Sequence, residues 1–297
     1  MTAFVFLLVL LSAALHVLWN ALIKKAGDKA SFLWLTIGAS TVLLTPVFVF
    51  LRWRSPGPLG GEVLAWAGLS GLIEAGYILL LLGAYERADL SVVYPLSRGV
   101  APLVTLAVAG WLVGDTVGLW SGLAVLSVVA GVVAVSFSAG SASGGTHRLP
   151  GALLAVAAGV LIAGYHLVDR HVLSRPNAPN PLEYLFLMHL SLTACLTVWV
   201  VLRPRLRAKA LAAWHTGCKG AVLLGSLGPL AYLLILLAMA QAAGNVTYIA
   251  AGRNVGIVIS TAVGALFLRE RVGWRRAAGA GLIAAGVVGL VVLRSGH

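Results

Sequence analysis

Charge is what this chain has least of. Only 10% of its 297 residues are charged and only nine are acidic, against about a quarter charged in an ordinary soluble domain. Too little polar surface exists to cover a water-soluble globule, so lipid must cover it. Cysteine is nearly missing too. Cys195 lies inside an apolar run and Cys218 at the edge of the next, which excludes a disulfide framework or a cysteine metal site. There is no phosphate-binding Gly/Lys loop, no His pair at metal-ligand spacing and no Gly-x-Ser-x-Gly elbow. A nucleotide-driven pump and a hydrolase are therefore not expected, and neither is a cofactor. What fills the chain is apolar: 60% of it is hydrophobic, with a mean hydropathy of +0.98.

Apolar runs near 20 residues recur along the whole length, each able to cross a hydrocarbon core of about 30 Å. They predict an all-α, polytopic membrane protein with ten transmembrane helices, at about 4–23, 31–51, 64–84, 90–113, 118–138, 150–169, 183–202, 220–241, 246–268 and 275–293. The first run is followed directly by Lys24, Lys25 and Lys29 and reads as a span, not a cleaved signal. The Gly/Ser-rich stretch from Ser138 to Pro150 reads as a linker, giving units 1–139 and 150–297 joined by 140–149. Arg203 to Lys219 is the longest hydrophilic loop. Its Leu206, Leu211 and Trp214, set among bases, would suit a short interfacial helix.

The net charge of +12 would point to nucleic acid in a soluble protein. Here the bases sit in short connections, where they encode orientation, and no nucleic-acid partner is expected. Fourteen basic residues fall on one face, five fall on the face of the amino terminus, and Arg98 and Arg253 lie inside spans. The count puts the basic face in the cytoplasm and both termini outside.

The two halves repeat. Shifted by 155, residues 72–133 overlay 227–288 without a gap: Tyr77 on Tyr232, Arg98 on Arg253, Asp115 on Glu270, Gly118 on Gly273 and Gly131 on Gly286. A shift of 150 sets His16 on His166. Five spans per half is an odd number, so the second copy must be inverted in the membrane. Two inverted five-helix repeats are the architecture of secondary transporters with a central site.

Charges in a bilayer core are expensive and default to function. Glu74, Arg98 and Arg253 are the three well inside spans. With Tyr77, Tyr232, His16 and His166 they flank the midplane as two similar constellations, and Glu74, matched by Pro229, breaks the symmetry. The arginines would hold a carboxylate or phosphate with paired hydrogen bonds. Trp19 or Trp111 would supply an aromatic wall, and Glu74 an amino-group contact or a proton site. The plainer alternative is a structural ion pair between Glu74 and Arg98, with Arg253 capping backbone carbonyls. Pro95 and Pro102 flank Arg98, so helix distortion is expected there. Asp115, Asp169, Arg170 and Glu270, at span ends, read as interfacial. Gly110, Gly114, Gly118 and Gly122, like Gly281, Ala285 and Gly289, read as close-packing stripes.

The chain resembles the drug/metabolite transporter superfamily, EamA type. The resemblance rests on the five-plus-five pattern and the opening His16-Val17-Leu18-Trp19-Asn20-Ala21-Leu22-Ile23-Lys24-Lys25. It rests equally on the fourth-helix ends Ala109-Gly110-Trp111-Leu112-Val113-Gly114-Asp115 and Gly264-Ala265-Leu266-Phe267-Leu268-Arg269-Glu270-Arg271. It implies a multi-pass plasma-membrane transporter, monomeric or homodimeric. It would carry a small anionic or zwitterionic metabolite by alternating access, with a proton or counter-substrate. The substrate contacts would be Arg98, Arg253, Glu74, Tyr77, Tyr232, His16, Trp19, Asn20 and His166. The superfamily more often keeps both termini inside, against the basic count. A membrane-embedded enzyme or lipid-modifying protein would need catalytic residues clustered at one membrane face. A multidrug exporter of the superfamily would need an acid in the first helix, where this chain has His16.

Overall fold

The computed structural model describes residues 1–23, 28–55, 59–88, 90–138, 148–241, 244–266 and 273–292. Among them every regular element is an α-helix: α1 (Ala3–Ile23), α2 (Lys29–Arg54), α3 (Gly61–Tyr85), α4 (Leu90–Leu112), α5 (Leu119–Ser138), α6 (Arg148–Leu173), α7 (Pro181–Val201), α8 (Pro204–Ala240), α9 (Val246–Gly252), α10 (Val255–Leu266) and α11 (Trp274–Val292). In lipid every backbone group must be paired within the chain, which is why apolar runs of this length become helices. Six stretches are long and apolar enough to cross a membrane: Lys29–Arg54, Gly61–Tyr85, Leu149–Leu173, Pro181–Val201, Lys219–Ala240 and Trp274–Val292. Four more, Ala3–Trp19, Leu96–Leu112, Leu119–Val135 and Val246–Ile259, are apolar but shorter. The protein is a multi-pass membrane protein. Trp53, Trp111, Trp120 and Trp274 stand exposed near helix ends, where indole suits the lipid–water boundary. Trp111, expected as a possible cavity wall, is thus turned outward.

Local chemistry sets the ends. Asn180 accepts a hydrogen bond from the Leu182 amide just ahead of Pro181, and Asn245 caps α9 by accepting from Thr247 and Tyr248. Gly114 (φ +74°) turns the chain out of α4. Two expectations are corrected here. Residues 204–219 are the opening turns of the 37-residue α8, not a loop. Short apolar and helix-forming residues between the bases, such as Ala208, Ala210, Leu211 and Ala213, carry the helix through them. The distortion is not at Arg98 either, since α4 runs through Pro95 and Pro102. The break falls instead at Arg253 and Asn254, between α9 and α10.

The packing is reciprocal between the two halves of the chain. Helix α3 lies on α6 and α7, while α8 lies on α1 and α2; α5 lies on α11, and α2 meets α7. A Cβ on Gly71 would meet Met188, Ser191 and Leu192, and one on Gly225 would meet Thr36, Ala39 and Ser40. A Cβ on Gly131 would meet the Gly279 carbonyl at 2.5 Å and then Ile283, whereas one on Gly286 would meet the Ala124 carbonyl at 2.5 Å and then Val128. Helices this close need glycine. The stripe read from sequence does not do this work: Gly114, Gly118, Gly122 and Gly281 have nothing within 4 Å of a built Cβ. Close glycines sit instead on the α5–α11, α2/α8 and α3/α7 contacts, and on α6 Gly159 approaches Ser97 and Val100 of α4.

Candidate functional site

A cavity of about 140 Å³ lies among α1, α2, α3, α4, α6, α7, α8 and the α9–α10 break. It starts at Lys29 and Tyr85, at the basic-face ends of α2 and α3, and runs inward past Ile37 and Ile78 to Glu74, Tyr165, Tyr232 and Arg253. Lys29 marks the mouth, its ammonium 5.9 Å from the centre of the Tyr85 ring.

Two Arg–His pairs face this space. An Arg98 Nη2 donates to His16 Nε2 at 2.6 Å, and an Arg253 Nη1 donates to His166 Nε2 at 2.5 Å. Guanidinium has donors only, so each imidazole accepts at Nε2 and carries its proton at Nδ1. In His166 that Nδ1 is buried with no partner. The surroundings are aromatic: His16 sits 5.4 Å from Trp19, Arg253 lies over Tyr232 at 5.7 Å, and Tyr232 stacks on His166. Tyr165 bridges Tyr77 and Tyr232, with ring centroids at 6.2 and 5.8 Å.

Glu74 Oε2 is buried without a hydrogen-bond partner. The alternative ion pair with Arg98 is not formed, because Arg98 is turned to His16, and Arg253 holds His166 rather than backbone carbonyls. Of the nine residues singled out in the sequence, Arg98, Arg253, Glu74, Tyr77, Tyr232, His16 and Trp19 line this one cavity. His166 stands behind Arg253. Asn20 is on α1, and its side chain lies outside the described residues. Sequence reasoning missed Tyr165, Lys29 and His189, all of which line the cavity. Tyr165 has a leucine, Leu15, at the matching place, so a search keyed on repeated polar pairs passes over it. Its position beside His166 was the available signal.

The far end of the cavity is closed. Asp169, fully buried, accepts hydrogen bonds from Ser70 (2.6 Å), Tyr184 (2.8 Å) and the cavity-lining Tyr232. Arg170 turns the other way and grips Asp115, with Nη2 to Oδ1 at 3.0 Å and Nε to Oδ2 at 3.2 Å. Its Nη1 also donates to the Met239 and Gln241 carbonyls, and Asp115 accepts from the Val246 amide at 2.7 Å. The expectation of interfacial roles for Asp115, Asp169 and Arg170 is therefore wrong: the three are 8%, 0% and 7% exposed. Counted from a hydrophobic run they are end residues. In three dimensions the ends of α4, α6 and α8 and the start of α9 converge and bury them. Glu270 lies outside the described residues.

Among the described residues no three His, Cys, Asp or Glu side chains come together to hold a metal ion. The chain is similar across its length to a solved crystal structure described only as that of a protein. The TM-score is 0.71 at 18% identity, covering 98% of this chain and 97% of the other. At that identity the likeness concerns the fold alone. No curated protein matches in sequence. Residues 149–292, nearly the whole second half of the chain, match the EamA-like transporter family, and that match supports the resemblance to EamA-type members of the drug/metabolite transporter superfamily.

Proposed function

We propose that this protein is a secondary transporter with ten spans arranged as two inverted five-helix repeats, 1–139 and 150–297. It moves a small anionic or zwitterionic metabolite across the plasma membrane by alternating access. The observation that carries the reading is the pair of Arg–His couples, His16–Arg98 and His166–Arg253, contributed by matching places of the two halves and facing one cavity. Two guanidinium groups facing one cavity in a bilayer core suit an anionic ligand. Glu74, with an unpartnered buried oxygen, would take an amino group or a coupling proton. Reciprocal helix packing supports the repeat. A cavity of about 140 Å³ is on the scale that holds one benzene-sized molecule, which favours an amino-acid-sized substrate over a nucleotide sugar. By the basic count the cavity opens to the cytoplasm, whether the protein works as a monomer or a homodimer.

The test is equilibrium binding of a panel of amino acids and sugar phosphates, with uncharged analogues beside them, to purified monodisperse protein. Arg98→Leu and Arg253→Leu should each lower affinity for the anionic ligands about tenfold to a hundredfold, the loss of one charge-assisted contact. Arg→Lys should not restore it fully, because an ammonium lacks the planar fork. Wild-type affinity in both leucine variants would make the arginines scaffold and end the anion-site reading.

A further inference from the structure

Asp169 is the buried group that the reading above leaves unused. It sits on α6 with no exposure, and no basic side chain pairs with it among the described residues. Arg170, its neighbour along α6, is committed to Asp115. The other charged groups that face it are Glu74 on α3, a second acid, and Arg253 beyond α9, held by His166. On α4, which also packs on α6, Arg98 is engaged with His16. From α7 and α8 the facing titratable groups are Tyr184 and Tyr232. Three hydroxyls from three other helices thus surround one carboxyl: Ser70 of α3, Tyr184 of α7 and Tyr232 of α8.

We infer that Asp169 binds a coupling proton taken from the amino-terminal face, and that the protonated carboxyl favours the state in which that face is shut. The reason is desolvation. An ionised carboxylate buried without a counter-charge is far costlier than the neutral acid, even with hydroxyl donors around it. Water reaching Asp169 from the amino-terminal face stabilises the ionised form, so ionisation pulls the equilibrium toward opening there and proton binding pulls it back. Tyr232 makes the device a coupling one. Its hydroxyl bonds to Asp169 while its ring lines the cavity and stacks on His166 under Arg253. The bound proton can therefore pass by the Tyr232 hydroxyl toward a cavity that now opens to the basic face. One proton moves from water to a carboxyl oxygen, and later from that oxygen to water on the other side. This inference rests on the transporter reading, but its test needs no substrate and is indifferent to the two arginines.

The test is thiol accessibility in lipid nanodiscs. Ala67, buried on α3 one turn nearer the amino-terminal face than Ser70, becomes the reporter as Ala67→Cys in a Cys195→Ser, Cys218→Ser background. Its labelling rate by a polar maleimide is divided at each pH by that of Thr2→Cys, an exposed site, which removes the intrinsic pH dependence of the thiol. With Asp169 present the normalised rate should rise severalfold as pH is raised over about three units through neutrality, the range of one titrating group. Asp169→Asn should be slow and flat. Tyr184→Phe, which keeps the carboxyl and removes one donor from its ionised form, should enlarge the rise. A flat response with Asp169 present, or an undiminished rise in Asp169→Asn, overturns the inference. If the asparagine variant does not fold, an unchanged rise in Tyr184→Phe overturns it.

Discussion

The opening helix reads His16-Val17-Leu18-Trp19-Asn20, and its counterpart, α6, reads His166-Leu167-Val168-Asp169-Arg170. Both histidines take a guanidinium proton at Nε2, from Arg98 in one case and Arg253 in the other. One turn further the two helices part company. On α1 the next turn holds Trp19, a wall of the open cavity. On α6 it holds Asp169 and Arg170, which tie α3, α4, α7, α8 and the start of α9 together. Matching halves thus place matching Arg–His pairs, while among the described residues the closing contacts gather on α6 of the second half, with Ser70 and Asp115 of the first half as partners. A transporter needs the first property to offer its ligand similar contacts from both faces. The second holds one end of the cavity shut in the conformation described.

Breaking the closed end should have the largest effect. Asp115→Ala would strip the buried Arg170 guanidinium of its carboxylate, and leaving a charge buried and unpaired costs about 3–5 kcal/mol. Thermal unfolding in detergent, followed by size-exclusion chromatography, should show a large drop or loss of the monodisperse peak. The same substitution at the open end supplies the contrast. Asp28 meets Lys209 at 3.8 Å with both side chains partly exposed, and such pairs contribute between about 0 and 1 kcal/mol. Asp28→Ala should unfold close to wild type. Equal losses at the two ends would mean that Asp115–Arg170 is not the stronger clasp.

The histidines should separate next, by kind of effect as well as size. His166 is 1% exposed. His166→Ala would leave a void and an unpaired Arg253 donor, a stability loss of roughly 1–3 kcal/mol. His16, half-buried on the cavity wall, should cost less in stability and show mainly in ligand affinity, because water entering the cavity can take over its bond to Arg98. Melting curves read beside binding isotherms for both variants check this. Identical profiles would make the two pairs interchangeable and remove the asymmetry.

Much of this was legible in the residues. Apolar runs gave most helix bounds to within a few positions, the start of α8 and the break between α9 and α10 excepted, because in lipid the backbone has little choice but helix. Intramembrane charge picked out Arg98, Arg253 and Glu74, and the repeat brought Tyr77, Tyr232 and the two histidines with them; seven of the nine named residues face one cavity. What could not be read depends on how helix ends converge. Asp115 and Arg170 sit where their runs stop, and along one dimension that looks like the water interface. Only the meeting of four helix ends buries them. The glycine stripe failed for a related reason. Small residues every fourth position permit close approach, yet Gly118 and Gly122 have no neighbour to approach, whereas Gly71 and Gly225, in no obvious stripe, touch backbone. The bases ahead of Lys219 looked like a loop because charge was read as irregularity, although arginine, lysine and alanine are good helix formers.

The smallest effect belongs to a place where the comparison of halves must vanish. Thr41 on α2 and Thr193 on α7 hydrogen-bond to each other at 2.7 Å, where the two helices meet. Their neighbours are also exchanged: Gly225 faces Thr36, Ala39 and Ser40 just before Thr41, while Gly71 faces Met188, Ser191 and Leu192 just before Thr193. In an inverted repeat, residues that pair with their own counterparts would lie on the pseudo-two-fold axis, so each should see the same surroundings. Thr41 also donates to the Ile37 carbonyl one turn back, at 3.1 Å, so losing its partner leaves it satisfied. Thr41→Val and Thr193→Val should therefore each cost only about 0.5–1.5 kcal/mol, one neutral hydrogen bond. The double variant should cost no more than about one single variant, because both remove the same bond. A double-mutant cycle on thermal unfolding measures it. Unequal single effects would place the axis elsewhere. Fully additive ones would mean that the two hydroxyls act through their own helices, and the α2–α7 contact would then no longer count as support for an inverted repeat.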